Sequence, residues 1–196
     1  MGILEYLDMG LFGFGKSKID KRKEDWIIQG KDWYDKGNSL AKLGKDEETI
    51  VCYSQAIRLN PEDLRAWSNK GFALNKLERY EESIRCYNQV IRFNPKDHNA
   101  WFSRGNALAS LRKYEESIAC YDKAISLDSE DLRALFNKGN ALANLKKFEE
   151  SIECFDKVIK KNPEYPSALR YKGVALKKLG RDEEAEYCFT KDKELE

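Results

Sequence analysis

A single step of 34 residues organises this chain. Trp33, Trp67 and Trp101 stand 34 apart, and the same step reaches Leu135 and Leu169. Gly37, Gly71, Gly105, Gly139 and Gly173 share one column; Leu40, Leu74, Leu108, Leu142 and Leu176 share another. Tyr53, Tyr87, Tyr121, Phe155 and Phe189 form an aromatic column, and Pro61, Pro95, Ser129 and Pro163 a turn column. Self-similarity of this period is the signature of a stacked array, in which no single repeat can bury its own apolar face.

Within a repeat the apolar spacing is helical. Trp67, Gly71, Leu74 and Leu77 fall on one face, and after Glu78-Arg79 a second set, Tyr80, Ile84, Tyr87 and Ile91, marks another helix. Asn94-Pro95 ends it, because proline lacks a donor and disfavours helix in the residue before it. The expected repeat is therefore helix–turn–helix. Its columns read as core, so truncating Trp67 is expected to cost about 3–5 kcal/mol. Glu81-Glu82 and Glu115-Glu116 open second helices, where carboxylates suit the positive end of the helix dipole.

The pattern Trp33-x-x-Lys36-Gly37-x-x-Leu40 … Thr49-x-x-x-Tyr53 … Pro61 resembles the tetratricopeptide repeat from about Gly30 onward. It departs from the family in two columns. Cations (Lys36, Lys70, Arg104, Lys138, Lys172) replace the usual leucine before the glycine, and Thr49, Ser83, Ser117 and Ser151 replace the usual alanine, which returns at Ala185. The cations are expected to lay their methylene stems on the core with their heads in water. The resemblance implies an all-α, right-handed superhelical solenoid whose first helices line a concave groove. The expected organisation is an apolar and basic N-terminal extension, partly helical, over 1–29, then repeats over 30–63, 64–97, 98–131, 132–165 and 166–196.

Composition narrows the function. The 35 basic and 34 acidic side chains leave a net charge of +1, which gives no whole-molecule attraction to nucleic acid or anionic lipid. No apolar run approaches the ~20 residues of a membrane span. The segment before Lys16 is apolar but carries Glu5 and Asp8 and has its basic cluster after it, the reverse of a secretory signal. A cytoplasmic, unlipidated chain is expected.

Nothing points to catalysis. Cys52, Cys86, Cys120, Cys154 and Cys188 follow the same 34-residue step, which sets them on successive second helices, too far apart for a disulfide or a shared metal. They read as small apolar residues of a reducing compartment. The single histidine, His98, has no serine or cysteine nucleophile assigned to it by sequence. Gly10, Gly13 and Gly15 lack the strand and the lysine-threonine of a phosphate loop. The expectation is no enzyme, no cofactor and no metal.

A ligand is expected on the outward positions of the first helices. Those positions are Lys31, Tyr34, Asn38, Arg65, Asn69, Phe72, Phe102, Asn106, Arg133, Phe136, Asn137, Asn140 and Arg170. Asparagines there can hold an extended peptide backbone, since a carboxamide both donates and accepts. Arginine forks suit carboxylates, and exposed phenylalanines offer apolar contact area. Chaperone-binding members of the resembled family grip a terminal carboxylate with cations and asparagines on three repeats. Here Asn38 with Asn69, and Asn106 with Asn137, match the asparagines, but Tyr34, Phe102, Asn99, Ser103, Ser167 and Tyr171 stand where the cations belong. The expected function is a non-catalytic scaffold binding an acidic or polar peptide segment of a protein partner. The alternative is a helical repeat protein that binds single-stranded nucleic acid, against which the near-neutral charge argues.

The ends differ from the middle. Asp182-Glu183-Glu184 and Lys191-Asp192-Lys193-Glu194 supply a polar C-terminal cap. At the front, Ser17-x-x-Asp20 reads as a capping box that opens a helix. The apolar arm before it, with Ile3, Leu4, Leu7 and Leu11 at helical spacing, leaves three options: a cap on the array, self-association with a second copy, or contact with a membrane surface through Lys16 to Lys23.

Overall fold

The computed structural model describes residues 14–165 and 167–195, with side chains from residue 25 onward. Every regular element among them is helical: α1 Phe14–Lys42, α2 Asp46–Leu59, α3 Leu64–Lys76, α4 Tyr80–Phe93, α5 His98–Ser110, α6 Tyr114–Leu127, α7 Leu132–Asn144, α8 Phe148–Lys161, α9 Ala168–Lys178 and α10 Asp182–Glu194. The chain divides into two compact parts, Met1–Ala66 and Trp67–Glu196, with the boundary inside α3.

In the first part, α1 packs on α2. α1 is already helical at Phe14, so Ser17 lies inside the helix and does not open it. Nothing from 16 to 42 breaks it: there is no proline, and Gly30 is buried where a Cβ would come within 3.4 Å of Leu59 Cβ. The apolar arm and its three options fall on residues outside the described range, apart from the basic cluster, whose backbone continues α1.

The second part is a stack of helix pairs in which each helix contacts the next, α4 on α5 through α9 on α10. Odd-numbered helices also touch one another, α5 with α7 and α7 with α9, whereas α6 with α8 and α8 with α10 do not approach to this extent. The odd helices therefore lie on the inner side of this stack's curve.

Each pair is closed by a seam of glycine against aromatic ring. A Cβ on Gly105 would come within 2.6 Å of the Tyr121 ring, and one on Gly139 within 2.9 Å of Phe155. Only glycine admits the ring at this depth, which offsets its helix-propensity cost of about 1 kcal/mol. Hydroxyls in the alanine column satisfy themselves at the same seam: Ser83 Oγ donates to the Gly71 carbonyl at 2.8 Å, and Ser151 Oγ to that of Gly139 at 2.8 Å. The deepest core is the alanine, leucine and aromatic columns, among them Ala107, Leu142, Tyr121 and Phe155.

The tryptophan column differs from its expectation. Trp33, Trp67 and Trp101 are half-buried. Their rings lie at the outer edge, where Lys36 sits 5.0 Å from the Trp33 ring and Arg104 5.6 Å from that of Trp101. A cation over an aromatic face needs one side of the ring open, so these residues cover the core and do not fill it.

Turns inside each pair share one geometry. The amide five residues after the leucine column donates back to its carbonyl (Lys45 to Leu40, Lys113 to Leu108, Lys147 to Leu142), as in a Schellman ending. The left-handed residue of this motif is Gly44 and Gly180 in the outer pairs but Glu78, Arg112 and Lys146 in the inner three. Between pairs, the Asn/Asp-Pro/Ser-x-Asp sequence makes an Asx turn and a cap. Glu130 N donates to Asp128 Oδ1 at 3.0 Å, and Asp131 Oδ1 then accepts from Arg133 N at 3.0 Å to start α7.

Candidate functional site

In the first compact part, Lys31 is exposed on α1 and Tyr34 is half-buried, 5.7 Å from the Tyr53 ring. Tyr53 OH donates to Asn38 Oδ1 at 2.8 Å. Arg65 is not an open fork: its Nε and Nη2 donate to Asp63 at 3.0 and 2.8 Å, and its plane lies 5.0 Å from the Tyr34 ring. The Arg65 hydrogen bonds hold the Asp63 carboxyl below the usual carboxylate range.

The same arrangement recurs in the second part. Arg133 donates to Asp131 at 2.9 and 2.8 Å and stacks 4.8 Å from Phe102. Burial alone would raise the Asp131 carboxyl, but hydrogen bonds from the Arg133 side chain and amide and from the Ala134 amide outweigh it and hold the group low. His98 Nε2 lies 3.8 Å from both Asp128 and Asp131, tying the start of α5 to the next turn. The Asp-x-Arg spacing thus closes each fork on its own chain, and neither arginine is the open carboxylate receptor expected of it. Arg170 has Ala168 two residues before it and is exposed.

The phenylalanines also differ from expectation. Phe102 and Phe136 are half-buried, 6.2 Å from Tyr121 and 5.6 Å from Phe155, because their helix places them over the aromatic column. Phe136 further meets Tyr165 at 5.3 Å and Tyr171 at 5.2 Å. Phe72 is 63% exposed and does match the expectation. Asn69 is half-buried on α3.

Asn106, Asn137 and Asn140 come together on the inner side. Asn106 Oδ1 accepts from Tyr121 OH at 2.9 Å and from Asn137 Nδ2 at 2.9 Å. Burial raises the Tyr121 phenol, keeping it a proton donor. The Asn140 carboxamide oxygen is buried and has no hydrogen-bond partner among the described residues. These three asparagines line an open cavity of about 400 Å³ with Ala109, Ser110, Tyr114, Tyr121, Ala141 and Asn144. A second cavity of about 400 Å³ adjoins it across Asn140 and Asn144, lined by Ala143, Lys146, Phe148, Tyr171, Val174, Ala175 and Lys178.

Sequence reasoning missed Ser110, Tyr114, Asn144, Lys146, Phe148 and Lys178 as part of this surface, because they lie at helix ends beyond the central columns. Tyr121 was assigned to the core alone. Its signal was the hydroxyl: a column that alternates tyrosine with phenylalanine differs only in what reaches its far end.

Other chemistry is thin on the ground. All five cysteines are free and buried, and burial pushes the Cys86 thiol up to about 11. Among the described residues no group of three or more His, Cys, Asp or Glu is placed to hold a metal, and no helix is long and apolar enough to cross a membrane.

Known proteins give the geometry its context. The tetratricopeptide repeat model matches residues 64–97, 98–131 and 132–165, and a second TPR repeat model matches 37–78. No curated protein matches the chain significantly in sequence. Among solved structures, MamA from Desulfovibrio magneticus RS-1 is similar at 21% identity and a TM-score of 0.82, over 85% of this chain and 94% of that one. Another MamA structure is similar at 18% identity and a TM-score of 0.81, over 85% and 91%. YrrB, described as a TPR protein with an unusual peptide-binding site, is similar at 22% identity and 0.75, over 92% and 91%. Repeat columns, helix pairs and these matches agree, and the chain belongs to the tetratricopeptide repeat family of protein-interaction scaffolds.

Proposed function

We propose that the chain is a non-catalytic adaptor that holds an extended peptide segment of a partner protein on the inner face of its second compact part. The observation that carries this reading is the pair of adjoining open cavities across α7, on the side where odd helices approach one another. Their walls combine hydrogen-bonding carboxamides with apolar surface, the mixture an extended peptide presents. Asn69, Phe72, Asn106, Phe136, Asn137, Asn140 and Arg170 remain its proposed contacts, with Phe136 acting through the ring cluster beneath. Lys31, Tyr34, Asn38 and Arg65 are proposed as a separate contact surface in the first part, while Phe102 and Arg133 serve as its counterpart's support. The free buried thiols fit a reducing, cytoplasmic setting. Closure of the Arg65 and Arg133 forks on Asp63 and Asp131 weakens the nucleic-acid alternative, since phosphate contacts need available cations.

The test is a fluorescently labelled chain read on an array of random octapeptides, with Ala109→Trp and Ala143→Trp to fill the two cavities. Loss of most binding in both variants, at an unchanged melting temperature, is the expected result. Binding that survives both substitutions removes the inner face from consideration.

A further inference from the structure

Asn140 stands in a column with Asn38 and Asn106, and in both of those the carboxamide oxygen accepts a hydrogen bond from the tyrosine fifteen residues on, Tyr53 or Tyr121. Fifteen residues after Asn140 the aromatic is Phe155, which has no hydroxyl. The second donor is missing as well: Asn137 donates to Asn106, but one repeat later its column holds Tyr171, which packs on Phe136 and Phe155. Two substitutions in neighbouring columns thus leave one buried acceptor facing an open cavity without a partner among the described residues. A buried polar atom in this state is costly, and a site that keeps one is built to be completed from outside.

The walls say what completes it. No ionisable acid or base lines the first cavity apart from the phenols of Tyr114 and Tyr121, so a charged side chain placed there would be desolvated without a counter-charge. A carboxamide matches, and it does so whichever way the Asn140 amide is turned, because both groups donate and accept. The second cavity has an apolar wall of Phe148, Tyr171 and Val174, with Lys146 and Lys178 on its rim. Neither lysine forms an ion pair among the described residues, which leaves two cations for an acid.

Resting on the peptide-groove reading above, we infer that this face selects a peptide by sequence. An asparagine or glutamine side chain is read by Asn140, an apolar side chain enters the second cavity, and a carboxylate follows beside Lys146 and Lys178. The cavities flank one helix, so their centres lie roughly one helix spacing apart, about 10 Å. An extended chain rises ~3.3 Å per residue, which separates the amide and the apolar residue by about three positions.

Fluorescence anisotropy with labelled nonapeptides tests this. The probe carries glutamine, phenylalanine three residues on, and two aspartates beyond it; a second probe has the order reversed, and each is also made with glutamate or leucine in place of glutamine. The full chain is expected to bind one glutamine probe at least about tenfold tighter than its glutamate and leucine counterparts. Phe155→Tyr supplies the missing hydroxyl from within, as tyrosine does elsewhere in that column. It should cut the glutamine preference to under about twofold while the melting temperature holds or rises. Lys146→Gly removes a rim cation at a left-handed position where Gly44 and Gly180 stand in sister turns, and should flatten the salt dependence without unfolding the chain. Equal binding of all probes overturns the amide selection and leaves the peptide groove standing. A glutamine preference that survives Phe155→Tyr overturns the role of Asn140. Binding of no probe, together with no binding on the random array, overturns both readings.

Discussion

The seam inside each helix pair and the inner face between pairs use the same columns in opposite ways. At the seam, glycine meets an aromatic ring in every repeat, from Gly37 on Tyr53 to Gly173 on Phe189, and the side chains scarcely vary. On the inner face one column runs Asn38, Phe72, Asn106, Asn140, Val174, and the aromatic tips that reach it are hydroxylated in three repeats and bare in two. Repetition is what a stack needs to bury a continuous core, whereas a ligand is distinguished by what breaks the repeat. In this molecule the two demands meet on single side chains: the body of Tyr121 fills the seam while its hydroxyl organises the face.

The largest expected effect lies at the seam. Phe155→Ala removes a fully buried ring from the α7–α8 pair and should cost about 3–5 kcal/mol in urea unfolding. Tyr187→Ala, on a side chain 63% exposed, should change stability by less than about 0.5 kcal/mol. Comparable losses at both positions would dissolve the distinction between seam and surface.

Next comes the joint between pairs. Asp131→Ala removes the α7 cap and strands Arg133, at an expected cost of about 2 kcal/mol. The pH dependence has a definite sign. A carboxyl held below its unfolded value stabilises the fold above the ordinary carboxylate range, and this contribution fades as pH falls through the lower folded value. Asp131→Asn keeps a capping side chain but no charge, so the stability gap between it and the parent should be widest near neutrality and close on acidification. A gap constant from pH 7 to pH 3 would assign the residue's effect to capping alone.

How far the sequence reached follows the same division. The helix pairs, their turns and the aromatic column were legible because a column repeated five times averages out local ambiguity, and Asn94-Pro95 stops a helix by covalent geometry. Exposure was less legible. Trp101 is too large for the depth that Ala100 and Ala107 occupy and spreads over the edge beneath Arg104. Phe102 and Phe136 looked outward by phase, but a helix packed on two neighbours buries more than half its circumference, and their rings fell inside. The arginines carried a readable warning, an aspartate two residues earlier, which only side-chain geometry turns into a closed fork. For the candidate site, the asparagines were legible by phase, and the helix-end residues around them were not.

The smallest effects make the sharpest comparison, because they should differ in sign. Asn106 and Asn140 occupy equivalent positions one repeat apart. Asn106→Leu leaves Tyr121 OH and Asn137 Nδ2 without their acceptor, and an unsatisfied buried donor costs about 1–3 kcal/mol. Solvent access through the open cavity places the expected loss near the lower end, at about 1 kcal/mol. Asn140→Leu breaks no hydrogen bond to its carboxamide oxygen and removes a buried acceptor that has none. Its expected effect is neutral to stabilising, by up to about 1 kcal/mol, as at functional positions that trade stability for binding. Paired thermal melts of the two variants read the difference directly. A matching loss in both would mean that Asn140 is held by the fold like its neighbour, and the case for an external partner would rest on the cavities alone.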